Sequence, residues 1–182
     1  MKDSVPKKIS TMIYDLAFEE NKELLKLTEN GMGLKKMPEL AFAYECGKAI
    51  FRNRKTILNS SDYTWERELV IEKGLGPSDL VFLSEDSHLP HYVIEFKLDD
   101  TWHKYKADIK KLKEIKDENC VNIFCSFKHV FKYGNTDQSI GFIEILKTEF
   151  GNEAVMIQDE LFKTKISNKP KDHFFYTSWL VK

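Results

Sequence analysis

The sequence predicts one α+β domain whose core runs helix, three strands, helix, strand. Three observations predict it. The 182 residues are 42% hydrophobic and 31% charged, a balance that suits a compact domain and excludes a disordered tail, a collagen-like rod or a disulfide-stapled peptide. The hydrophobic period changes from helical to strand-like and back along the chain. A connection of helix length separates two strand-like runs, which permits a parallel crossover between them. A domain of this length typically buries about 70% of the surface its unfolded chain exposes.

The elements follow in order. Between Ser10 and Glu29, residues Ile13, Leu16, Ala17, Leu24 and Leu27 recur at helical spacings and predict an amphipathic helix, ended by Gly31-Met32-Gly33. Pro38 suits the first position of a second helix, because its missing N–H is not needed there, and the helix should run to about Arg54. Phe42, Cys46, Ala49 and Ile50 form its buried face, and Glu39 is the odd member of that apolar stripe. The polar stretch 53–62 reads as a connection. Trp65 to Glu72, Asp79 to Leu83 and His91 to Leu98 are three strands separated by turn residues, which suggests an antiparallel meander. From Thr101 to Asp117 the helical period returns, with Trp102, Tyr105, Ile109 and Leu112 on one side. Cys120 to Phe127 is a strand, Ser139 to Phe150 a helix, Glu153 to Gln158 a short strand and Phe174 to Val181 a last aromatic strand.

Charge is informative only in its distribution. Lys+Arg 28 against Asp+Glu 29 gives a formal net charge of −1, which advertises neither nucleic acid nor an anionic membrane. Yet His103 to Lys116 holds six lysines and two acids, a local net of +4 that leaves −5 elsewhere. Beside a metal site, Lys104, Lys106, Lys110, Lys111 and Lys113 would contact phosphates without reading sequence. The plainer reading of such a stripe is a solvated helix face. Lys163, Lys165, Lys169 and Lys171 pose the same choice in a loop between the last two strands.

The start of the chain lacks the apolar core of a secretory peptide, and no apolar run approaches the roughly 18 to 20 residues of a membrane span. A soluble cytoplasmic protein with no membrane partner is expected. Cys46, Cys120 and Cys125 are odd in number and are expected as buried free thiols, without a disulfide or zinc.

Two pieces carry chemistry: Pro77-Ser78-Asp79 at the mouth of the second strand, and Glu95-Phe96-Lys97 inside the third. Residues two apart in a strand share a face, so Glu95 and Lys97 project together. If the two strands are adjacent, Asp79 meets Glu95. Two converging carboxylates repel unless a cation separates them, and hard oxygen ligands suit Mg²⁺. Such an ion would hold a phosphodiester oxygen, lower the pKa of a water and neutralise the leaving group. A lysine one side chain further along would face the attacking water.

With these residues the sequence resembles the PD-(D/E)XK nuclease superfamily, the restriction-endonuclease-like fold, over Pro38 to Phe127. An acid on an early helix (Glu39), an acid after a Pro-Ser turn (Asp79), and a Glu-x-Lys sixteen residues later (Glu95, Lys97) keep that family's order. The family's Pro-Asp dipeptide carries one inserted residue here, Ser78. The resemblance implies a three-layer α-β-β-β-α-β core, extended here by a C-terminal helix and strands over 137–182. It implies Asp79, Glu95 and the main-chain carbonyl of Phe96 as metal ligands, Lys97 as the catalytic lysine, and Glu39 as an acid reaching the site through water or a second ion. Asp108, on the helix that follows, is expected only to pair with neighbouring lysines.

Competing motifs fail. His88 and His91 lack a third metal ligand, and Gly74-x-Gly76 lacks the Gly-Lys-Ser/Thr of a phosphate loop. No Ser or Cys sits in a nucleophile turn. Phe174, Phe175, Tyr176 and Trp179 could stack on bases, but such aromatics usually belong to the core. The expectation is a nuclease dependent on Mg²⁺, for which Mn²⁺ can substitute, cutting DNA, with RNA left open. Little chain lies outside the core, so the protein should act as a homodimer, work with a partner protein that supplies specificity, or recognise structure and ends more than sequence. The alternatives are a nuclease-fold accessory subunit that binds without cutting, and a binding protein whose charges are ordinary surface groups.

Overall fold

The computed structural model describes residues 4–27, 33–99, 102–133, 136–163 and 172–182. Its elements are α1 (Val5–Leu27), a 3-10 turn (Gly33–Lys36), α2 (Glu39–Arg52), α3 (Arg54–Ile57), β1 (Tyr63–Glu66), β2 (Leu80–Ser84), β3 (Pro90–Leu98), α4 (Trp102–Lys113), β4 (Val121–Tyr133), β5 (Thr136–Asp137), α5 (Gln138–Phe150), β6 (Ala154–Lys163) and β7 (Asp172–Val181). The sheet is mixed, in the order β1-β2-β3-β4-β7-β6, with β5 paired to β4. The meander β1-β2-β3 is antiparallel, as expected, and β3 and β4 are parallel across α4, which the helix-length connection permits.

Strand alternation sorts the core onto two faces. Leu80, Phe82, Ile94, Phe96, Ile123, Cys125 and Phe127 pack beneath α1 and α2. Val81, Val93, Phe124, Trp179 and Val181 pack against α4 and α5 through Tyr105, Ile109, Leu112, Leu146 and Phe150. The aromatics of β7 are core, since Phe174, Phe175, Tyr176 and Trp179 are all buried. Helix α1 is tied down by a buried polar cluster in which Ser10 Oγ meets Gln158 Oε1 at 2.8 Å, Ser178 Oγ at 2.6 Å and Tyr176 Oη at 3.0 Å.

Several expectations need correction. Helix α1 starts earlier and buries Ile9, Ser10, Ile13, Ala17 and Asn21, while Leu27 is 80% exposed because the stripe turns away from the sheet before the helix ends. Of the turn that follows, Gly31 and Met32 lie outside the described residues. Gly33 has φ +45°, and a Cβ there would lie 2.1 Å from Asn21 Oδ1, the atom that accepts the Leu34 N–H at 2.9 Å. Glycine is needed at that contact. The connection 53–62 contains the short helix α3. In α2 the buried face is completed by Ala43 and Gly47 rather than Ala49. A Cβ on Gly47 would sit 2.4 Å from the Trp65 ring, so the helix approaches β1 closely.

Strand β1 ends at Glu66, short of the predicted Glu72. Glu66 pairs with Val81 and β2 begins at Leu80; the backbone turns at Glu68, whose φ is +52°, and beyond it only an isolated bridge, Leu69 to Ser78, continues the pairing. Strands β4 and β6 run longer than predicted because β7 supplies a partner as far as Phe131↔Asp172 and Lys163↔His173. The three cysteines are free, with Cys46 and Cys125 buried and Cys120 half-buried. Among the described residues no helix is long and apolar enough to cross a membrane. Lys165, Lys169 and Lys171, and the side chains of Lys163 and Trp102, lie outside the described residues.

Candidate active site

The site forms where β3 ends. Strand β2 runs antiparallel to β3 with Leu80 opposite Ile94, and extending that register by one residue sets Asp79 opposite Glu95. Asp79 Oδ2 accepts the Phe96 N–H at 2.8 Å. The Pro-Ser turn therefore delivers its acid to the Glu-x-Lys segment despite the inserted Ser78, which is buried and donates its N–H to the Leu69 carbonyl at 2.9 Å.

Glu95 and Lys97 share one face of β3, as their spacing predicts, and each meets a residue of α4. Glu95 is 1% exposed. Its Oε1 lies 2.6 Å from Lys111 Nζ, an ion pair closed inside the protein. Lys111 Nζ also donates to the Pro77 carbonyl at 2.7 Å. Burial, and then the neighbouring Asp79 carboxylate, raise the Glu95 carboxyl from 4.5 to about 8, against the lowering influence of Lys111.

Lys97 is held by three groups. Its Nζ donates to Glu39 Oε1 at 2.9 Å and to the Phe96 carbonyl at 3.0 Å, and lies 3.0 Å from Asp108 Oδ2. Burial alone would favour the neutral amine, but the hydrogen bond to Glu39 and the charges of Asp108 and Glu39 outweigh it and raise the pKa above the ordinary lysine value. Lys97 is a firmly charged cation. Glu39, the first residue of α2, reaches across the chain to accept the Leu98 N–H at 3.1 Å through its other oxygen. It thus ties α2 to the end of β3. Asp108 pairs with a lysine, as expected, but with Lys97 rather than one on its own helix; burial raises its carboxyl against the lowering by Lys97 and Lys111.

The lysine stripe divides. Lys111 turns inward to Glu95, whereas Lys106 pairs with Glu149, Lys113 Nζ lies 2.6 Å from Glu153 and Lys110 Nζ 3.8 Å from Glu114. Lys104 is exposed. On the outer face these are the ion pairs of a solvated helix.

Among the described residues no three His, Cys, Asp or Glu side chains form a ready-made metal cage. Mg²⁺ needs fewer, since one or two carboxylates complete its shell with water and substrate phosphate. Asp79, Glu95 and the Phe96 carbonyl fit that demand. The buried Glu95 Oε1, which already faces a cation, is the atom that marks the fit.

One consequence reads out in stability. The raised Glu95 carboxyl releases its proton at higher pH in the folded chain than in the unfolded one, so stability falls as pH rises above about 4.5. In EDTA, Glu95→Gln should remove a slope of up to about 1.4 kcal/mol per pH unit, measured by urea unfolding at a series of pH values. Identical slopes in the two proteins would count against a raised Glu95.

No family model, no curated protein and no solved structure matches the chain.

Proposed function

We propose that the chain is a Mg²⁺-dependent nuclease of the PD-(D/E)XK type, with a restriction-endonuclease-like core, hydrolysing phosphodiester bonds of DNA. The observation that carries this reading is the convergence of Asp79, Glu95, Lys97 and Glu39 at the end of β3, from the turn before β2, from β3 itself and from α2. A Glu-x-Lys on an ordinary solvated strand would leave both side chains in water; here Glu95 is buried and the Lys97 side chain is 12% exposed. The element order from α2 to β4 supports the same reading.

Mg²⁺ held by Asp79, Glu95 and the Phe96 carbonyl, with Mn²⁺ as substitute, would supply an acidified water and offset charge on the leaving oxygen. The protein's own groups do the rest. Lys97 presents its ammonium where charge builds on the phosphoryl oxygens. Glu39 is a positioning residue: by accepting from both Lys97 and Leu98 it fixes the direction of the ammonium. Asp79, by accepting from Phe96, holds the neighbouring carbonyl in register with Glu95.

The rival, an accessory subunit that binds without cutting, is favoured by one observation: Glu95 and Lys97 are already paired internally. The purified chain incubated with duplex, single-stranded and branched DNA, and with RNA, separates the two. Cleavage of at least one DNA in Mg²⁺ or Mn²⁺, abolished by EDTA, is the expected result. Intact substrates throughout would overturn the nuclease reading.

A further inference from the structure

Lys111 stands where the proposed cation would be needed. Its ammonium joins the Glu95 carboxylate, 2.6 Å away, to the Pro77 carbonyl, 2.7 Å away. It thereby bridges β3 and the turn before β2, the two segments that a shared ion would bridge. Lys97 is different, since Glu39, Asp108 and the Phe96 carbonyl all hold it. Lys111 sits on a flexible four-carbon stem, and one carboxyl oxygen and one carbonyl hold it where three groups hold Lys97. A buried carboxylate left without any cation is costly, whereas an ammonium and a divalent ion cannot crowd one carboxylate oxygen without strong repulsion.

We infer that Lys111 is a resident counterion: it holds Glu95 in the metal-free protein and is displaced when a divalent ion binds, which frees a cation at the mouth of the site for a substrate phosphate. The inference rests on the metal-site reading above and adds to it a competition that sets metal affinity. It also gives Lys111 a role apart from the lysines on the outer face of α4.

Two measurements test it. Calorimetric titration with Mn²⁺ of the wild type and Lys111→Met should show severalfold tighter binding by the variant. The variant should also melt at a lower temperature than wild type in EDTA, with the gap closing in Mn²⁺. In the wild-type chain, followed by mass spectrometry, acylation of Lys111 should be slow in EDTA and severalfold faster in Mn²⁺, while Lys110, 79% exposed, stays unchanged. This second measurement decides the matter even if the variant fails to fold. Mn²⁺ binding by the wild type with Lys111 equally protected in both conditions would overturn the inference and leave the metal site standing. Absence of Mn²⁺ binding by both proteins would overturn the metal site itself, and the inference with it.

Discussion

Lys97→Ala is expected to lower divalent-dependent cleavage by at least about a hundredfold in single-turnover assays. The ammonium is a firmly charged cation held between β3, α2 and α4, and preorganised charge is worth most where it need not reorganise as the reaction proceeds. The substitution also leaves Glu39 and Asp108 without their common cation, so some loss of stability should accompany it. Lys97→Arg separates the two effects. It keeps the charge and should recover most of the stability, but its planar fork cannot reproduce a point contact with three oxygens, so the rate should remain well below wild type. Asp79→Asn, which preserves shape and removes a ligand charge, should match the loss seen with Lys97→Ala. Wild-type rates in either Asp79→Asn or Lys97→Ala would contradict the assigned roles.

The largest effect on stability is expected at Phe42. Its ring meets Phe96 edge-on at 5.5 Å between centroids and 87°, and Phe127 at 5.2 Å and 82°. Phe42 is fully buried, three residues from Glu39 on the same helix. Phe42→Ala should cost about 3 to 5 kcal/mol, because the lost contacts add to the cavity left between α2 and the sheet. That is a large share of the roughly 5 to 15 kcal/mol that stabilise a typical domain. A lower urea midpoint with an unchanged slope is the signature to look for. Since the same packing seats Glu39 beside Lys97, the variant should also lose cleavage activity at temperatures where it remains folded. A midpoint within experimental error of wild type would show that α2 is anchored by other contacts.

Local periodicity made part of this site legible. The period of two sets Glu95 and Lys97 on one face, and the hairpin spacing brings Asp79 to them; both relations need only neighbouring residues. Glu39 was visible as a charge on an apolar stripe. Asp108 meets the same criterion, three residues after Tyr105 and four before Leu112, both buried, so it could have been found in the same way. Lys111 was less accessible, because it lies on the flank of α4 and its direction depends on how that helix is set against β3. The lengths of β4 and β6 depend on β7, which inserts between them from the end of the chain. Such non-local pairing leaves no periodic signal, so the far ends of these strands cannot be read from the local sequence. The short β1 has the same origin, since its extent is set by where β2 begins.

The central claim is that Asp79 and Glu95 share a divalent ion beside Lys97. Anomalous diffraction from a crystal soaked in Mn²⁺ tests it most directly. The expected result is one strong peak within coordination distance of the Asp79 and Glu95 carboxylates and the Phe96 carbonyl. A crystal that takes up Mn²⁺ elsewhere, or shows no peak between these two carboxylates, would contradict it.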